Sequence, residues 1–109
     1  VINSGGVKIM PEVVEKAVES VFQKNGVTNR FFIAGLPDEK LGNKIVLILE
    51  GVQISSELVD RALQALRAAV PPFQFPKEVY LVPEFALTQT QKIDRNETLA
   101  EATLLSPLK

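Results

Sequence analysis

Apolar and polar positions along this chain follow two periods, and the switches between them mark the elements. Val14, Ala17, Val18, Val21 and Phe22 recur at three- and four-residue steps behind Pro11 and ahead of Asn25-Gly26. That is the buried stripe of a helix, with proline in the first turn, where its missing N–H costs nothing, and glycine at the stop. The pattern predicts a helix over 11–25. Leu58, Val59, Ala62, Leu63 and Leu66 repeat the spacing behind Ser55 and Ser56, either of which can cap a second helix. Pro71-Pro72 ends it, because a residue before proline avoids helical geometry.

Shorter apolar runs separate these helices. Arg30 to Leu36 predicts a strand, and Pro37 to Asn43 reads as a loop by composition. The β-branched run Lys44 to Glu50 predicts a central strand buried on both faces, and Glu78 to Val82 a further strand. Val1-Ile2 and Val7-Lys8-Ile9 flank Asn3-Ser4-Gly5-Gly6, and Gly-Gly between apolar pairs predicts a β-hairpin. Residues 88–92 form a polar turn, and a short amphipathic helix is expected over Asn96 to Leu104. The expected fold is α+β: a small sheet of about three strands, two to three helices on one face of it, and an N-terminal β-hairpin.

Composition narrows the function. A chain of 109 residues is one domain, able to bury roughly 60–70% of its unfolded surface. With 46% hydrophobic and 23% charged residues it has the balance of a soluble globular protein. A net charge of −1 supplies no basic footprint for nucleic acid. No apolar run approaches the ~18 residues of a membrane span, and the N-terminus lacks the pattern of a signal peptide. The expectations are no nucleic-acid partner, no membrane partner and a cytoplasmic setting. With neither cysteine nor histidine, thiol nucleophiles, the usual proton shuttle and the commonest metal ligand are absent, and no metal site is expected in these residues. The first residue is Val1 rather than methionine, which suggests a piece of a longer polypeptide.

The candidate chemistry sits at the two ends. Thr88-Gln-Thr-Gln-Lys92-Ile-Asp-Arg95 sets a lone lysine among hydroxyl and amide side chains after a strand. An ammonium on such a loop can be carried into an active site built mostly by another domain. Asn3-Ser4-Gly5-Gly6-Val7-Lys8-Ile9 offers two glycines whose backbone a narrow ligand can approach. Glu12, Glu15 and Glu19 read as a solvated helix face. Asp38 reads as a turn residue bonding its own backbone, and Arg95 as a cap or a partner within the tail. Phe31, Phe32, Phe73, Phe75 and Phe85 read as core or interdomain packing, and Tyr80 as a strand residue.

Three of these segments, in this order, resemble the C-terminal domain of the adenylate-forming superfamily of acyl-CoA synthetases, luciferases and peptide adenylation domains. Val1 to Glu15 resembles its opening glycine loop, Ala34-Gly-Leu-Pro-Asp-Glu-Lys-Leu-Gly42 its Gly-x-Pro-Asp-x-x-x-Gly segment, and Pro76 to Arg95 its closing Thr-x-x-Gly-Lys-Ile-x-Arg motif. The resemblance covers about residues 1–100. It implies that 1–109 form a mobile lid on an N-terminal domain of the same polypeptide. The partners implied are that domain, a carboxylic acid, ATP with Mg held in the N-terminal domain, and CoA. It implies catalysis by Lys92 and CoA contact at Ser4, Gly5, Gly6 and Lys8. Gln91 stands where the family has glycine, and Ala86-Leu87 where it often has proline, so a less sharply turned loop is expected. The rival reading is a stand-alone, non-catalytic α+β module that binds a small molecule.

Overall fold

The computed structural model describes residues 1–108. A two-stranded hairpin opens the chain, β1 (Ile2–Ser4) and β2 (Val7–Ile9). Helix α1 (Pro11–Lys24) follows, then β3 (Phe31–Asp38), β4 (Gly42–Glu50), helix α2 (Ser56–Ala69), a single 3₁₀ turn at Pro72–Gln74, β5 (Glu78–Val82) and helix α3 (Arg95–Ala102). Among the described residues no helix is long and apolar enough to cross a membrane.

The helices begin and end for the reasons the sequence suggests. Pro11 occupies the first turn of α1. At its end Val27 N–H donates to the Phe22 carbonyl at 2.9 Å and Gly26 N–H to that of Gln23 at 3.4 Å, a Schellman stop. Of the two serines, Ser55 caps α2, its hydroxyl accepting from Leu58 N–H at 3.3 Å. Asp94 caps α3 by accepting from Glu97 N–H at 3.0 Å.

The main sheet has the order β3-β4-β5, with β3 and β4 antiparallel and β4 and β5 parallel. Ile45 to Leu49 of the central strand are all buried, as a strand covered on both faces must be. Alternate residues feed two cores. Ile33, Ile45, Leu47, Leu49 and Val79 pack with Val14, Val18 and Phe22 of α1 and with Ala62 and Leu66 of α2. Phe32, Val46, Ile48, Tyr80 and Val82 pack with Phe85 and with Ala102 of α3.

Two expectations change here. The helices do not lie on one face: α1 and α2 cover the first, while α3 and Phe85 close the second. A five-residue apolar strand needs cover on both sides, and the C-terminal tail provides it. The loop expected over 37–43 is a tight hairpin instead, with β3 running to Asp38 and β4 starting at Gly42. Pro37 is tolerated because β3 is an edge strand, where one row of N–H groups has no strand partner. Asp38 does act as the turn residue, its Oδ1 accepting from Lys40 N–H at 2.9 Å and Leu41 N–H at 3.0 Å.

Candidate active-site elements

The Lys92 loop closes as a tight turn. Thr88 N–H donates to the Lys92 carbonyl at 2.7 Å, and Gln91 N–H to that of Thr88 at 2.9 Å. Leu87 and Ile93 form a bridge behind it. The Thr88 hydroxyl accepts from Lys92 N–H at 3.3 Å and lies 3.1 Å from the Thr90 hydroxyl. The expected loosening from Gln91 does not occur. Gln91 takes the left-handed conformation itself, φ +66°, the one non-glycine to do so among the described residues. The turn keeps its shape, and the strain falls on a side-chain-bearing residue.

Lys92 stands exposed at this turn. Its ammonium takes part in none of the ion pairs among the described residues. Asp94, two residues on, is occupied as the cap of α3. A charge held on a defined backbone, with no competing partner, is free to meet an external anion.

Three anchors hold the segment that carries it. Thr98, fully buried, accepts from Ala86 N–H at 3.0 Å and donates to the Asp94 carbonyl at 2.7 Å. So α3, which ends at Ala102 rather than Leu104, is fastened by a buried hydroxyl as well as by Leu99 and Ala102 against the second core, with Leu104 left exposed past its end. Glu50, at the end of β4, accepts from Phe85 N–H at 2.8 Å and from Arg30 Nε and Nη2 at 2.8 and 2.6 Å. Arg30 holds its carboxyl below the usual glutamate range, with the Phe85 amide adding to the effect.

The third anchor is Arg95, which does not pair within the tail. Its Nη1 donates to Glu15 Oε2 at 2.9 Å, and its guanidinium lies 5.5 Å from the Phe32 ring centre. Glu15 thus leaves the solvated face expected for it. Its side chain is only 18% exposed, and Oε2 also accepts the outward-facing N–H of Ile33 on β3 at 2.9 Å. Glu12 and Glu19 remain exposed. Beside this contact lies a groove of about 570 Å³ whose lining includes Glu12, Glu15, Phe22, Phe31 and Ile93. Of the phenylalanines, Phe32 and Phe85 are core, edge to face with centroids 5.3 Å apart, while Phe73 is exposed.

The other candidate element lies elsewhere. Gly5 and Gly6 form the two-residue turn between Ser4 and Val7 with φ of +58° and +82°. Both angles favour glycine. Gly5 N–H is spent on the Leu41 carbonyl at 2.8 Å, which docks the hairpin on the β3–β4 turn. A Cβ on Gly5 would come 3.2 Å from Leu41 Cδ2, whereas at Gly6 it would meet nothing within 4 Å. The open approach is therefore at Gly6. Lys8 is exposed and pairs across the hairpin with Asn3. The Gly5-Gly6 turn docks beyond the end of β3, at Leu41, and Arg95 grips near its start. The two anchor points are separated by much of the strand's length, roughly 17 Å at ~3.4 Å per residue. The structure does not bring Lys92 together with Ser4, Gly5, Gly6 and Lys8.

Glu15, Glu50 and Thr98 escaped the sequence reading. Glu15 meets a partner 80 residues away, and no local spacing announces that. Glu50 had a weak signal, a carboxylate closing an apolar strand. Thr98 had another, a threonine four residues after an Asp able to cap a helix.

No protein-family model matches the chain. A 3-oxocholest-4-en-26-oate–CoA ligase from Rhodococcus rhodochrous is 30% identical over 96 residues, 85% of this chain and 16% of that protein. An acyl-CoA synthetase (AMP-forming)/AMP-acid ligase II-like protein from Dyadobacter fermentans is 38% identical with a TM-score of 0.90, covering 94% of this chain and 29% of that one. An o-succinylbenzoate CoA synthetase from Bacillus subtilis shares the fold at 20% identity and a TM-score of 0.69, over 89% of this chain and 19% of that one. The chain thus spans less than a third of each of these proteins. Its structural neighbours are AMP-forming acyl-CoA synthetases, and these relatives indicate that family of ligases.

Proposed function

We propose that this chain is the C-terminal lid of an AMP-forming acid–CoA ligase. It works against an N-terminal domain of the same polypeptide that houses the acid and ATP with its Mg. The observation that carries the reading is the exposed, unpaired ammonium of Lys92 on a closed and anchored turn, in a chain resembling a segment of such synthetases. In the first half-reaction a carboxylate oxygen bonds to the α-phosphorus of ATP and pyrophosphate leaves, giving an acyl-adenylate. Negative charge gathers between two anions, and a preorganised ammonium stabilises it without any proton transfer. Lysine suits the task as a compact charge on a flexible stem.

In the second half-reaction the CoA sulfur bonds to the acyl carbon and AMP leaves. The open side of Gly6 fits the approach of a narrow pantetheine arm. Ser4 and Lys8 flank it, and Lys8 has a charge suited to a CoA phosphate. Lys92 and Gly6 are anchored at opposite ends of β3, so the lid turns between half-reactions to present first one and then the other, about a few hinge dihedrals. The exposed apolar side chains Val7, Met10 and Val13 beside the hairpin are suited to meeting the N-terminal domain in the second state. In this reading the Mg is held with ATP in the other domain.

The finer reading of the acid is o-succinylbenzoate, as in menaquinone synthesis in the cytoplasm. Its support is the Asn-Ser-Gly-Gly-Val-Lys-Ile opening, and the sterol-acid ligase relative makes a bulky ring acid the natural comparison. The test uses the polypeptide that continues upstream of Val1. A Gly-Arg-x-Asp-like segment and a Ser/Thr/Gly-rich phosphate loop are expected there. Pyrophosphate exchange is then measured with acetate, octanoate, o-succinylbenzoate and 3-oxocholest-4-en-26-oate. Lys92→Ala is expected to lose roughly 3–4 kcal/mol of transition-state stabilisation. Exchange at the wild-type rate would end the proposal.

A further inference from the structure

The geometry points to Glu15 as a positioning residue for Lys92: its carboxylate, fixed on the edge of β3, holds Arg95 and so aims the lysine-bearing turn. This rests on the function proposed above and deepens it. The bonds within 88–92 set the shape of the turn but not its direction relative to the body of the domain. Direction comes from where the flanking chain is tied. Arg95 follows Lys92 by three residues and opens α3. Its guanidinium spans the free edge of β3, lying near Phe32, whose ring belongs to the second core, and bonding Glu15 on α1, which packs on the first.

The carboxylate that receives it is itself immobilised. Glu15 Oε2 accepts from Ile33 N–H and from Arg95 Nη1, both at 2.9 Å, and Oε1 accepts from Arg95 Nη2 at 3.4 Å. A forked pair of this kind carries geometric specificity as well as attraction. Arg95 is half exposed, so the pair adds little to stability. What it supplies is orientation, and a small misplacement of a catalytic group is costly in rate.

The experiment separates the two half-reactions in the full-length polypeptide, using whichever of the four acids turns over fastest. Glu15→Gln is expected to lower kcat for pyrophosphate exchange between about ten- and hundredfold, with KM for ATP held. Thioester formation from the preformed acyl-adenylate and CoA keeps its rate. Arg95→Gln, which leaves the acceptor for Ile33 in place, gives the same split. Adding either change to Lys92→Ala produces no further loss, because the residues act as one unit. Equal losses in both half-reactions, accompanied by a lower Tm, would make Glu15 a brace and overturn the inference. So would an unchanged exchange rate in Glu15→Gln while Lys92→Ala abolishes exchange. An unaffected Lys92→Ala would instead remove the functional reading beneath it.

Discussion

Arg95 and Glu15, 80 residues apart in the chain, meet at 2.9 Å across the free edge of β3. The contact joins the segment that carries Lys92 to the first helix, and Glu15 uses the same oxygen to cover the outward-facing Ile33 N–H. Edge strands expose unpaired N–H groups that invite pairing with other chains. One carboxylate thus blunts an edge and ties down the segment that carries Lys92.

Gln91 holds a left-handed backbone conformation that costs a side-chain-bearing residue roughly 1–2 kcal/mol. Gln91→Gly is expected to raise the unfolding free energy by about 1 kcal/mol, since glycine's greater unfolded-state entropy offsets part of the relief. Tm rises by a few degrees. Gln91→Val, β-branched, lowers it. A thermal melt of the three proteins decides, and a lower Tm for the glycine variant would contradict the strain.

Thr98 is the one buried polar side chain among the described residues, and both its hydrogen bonds lie within the tail. Thr98→Val keeps the volume and strands the Ala86 N–H, at a cost of about 1–3 kcal/mol. Thr98→Ser keeps the hydroxyl and loses only a methyl group. Urea denaturation should rank wild type above serine and serine above valine.

Acid sensitivity follows from two carboxyls. The Arg30 guanidinium, followed by the Phe85 amide, holds Glu50 below its ordinary value of 4.5, and the Leu41 and Lys40 amides hold Asp38 below 3.8. Groups depressed by folding contribute stability that is present above their unfolded values and lost as acid protonates the folded form. Unfolding free energy should therefore change little between neutrality and about pH 5 and fall as the pH drops through 4.5 and then 3.8. In Glu50→Gln the slope between pH 5 and 3 should shrink, as chemical denaturation at stepped pH would record. An unaltered slope would remove Glu50 from the account.

Lys92 is exposed and takes part in no ion pair among the described residues. Lys92→Ala should leave stability within about 0.5 kcal/mol of wild type, measured on the 109-residue chain by urea unfolding. A large loss would mean that the ammonium serves the fold.

Much of the architecture was written in local pattern. Helices α1 and α2, the doubly buried β4, the Gly5-Gly6 turn and the polar turn at 88–92 follow from periodicity, caps and breakers, because each depends on neighbours within a few residues. The short hairpin at Asp38–Gly42 was hidden, since turn-forming residues look the same in a long loop as in a tight turn. Lys92 and the hairpin glycines were legible as candidates because their residue types carry the chemistry. Tertiary structure alone decided that α3 crosses to the second face of the sheet, that Gln91 absorbs the turn's strain, and that Glu15 leaves solvent for Arg95. The reason is range: patterns a few residues long report burial, but a contact across 80 residues exists only once the chain has folded and brought the two charges together.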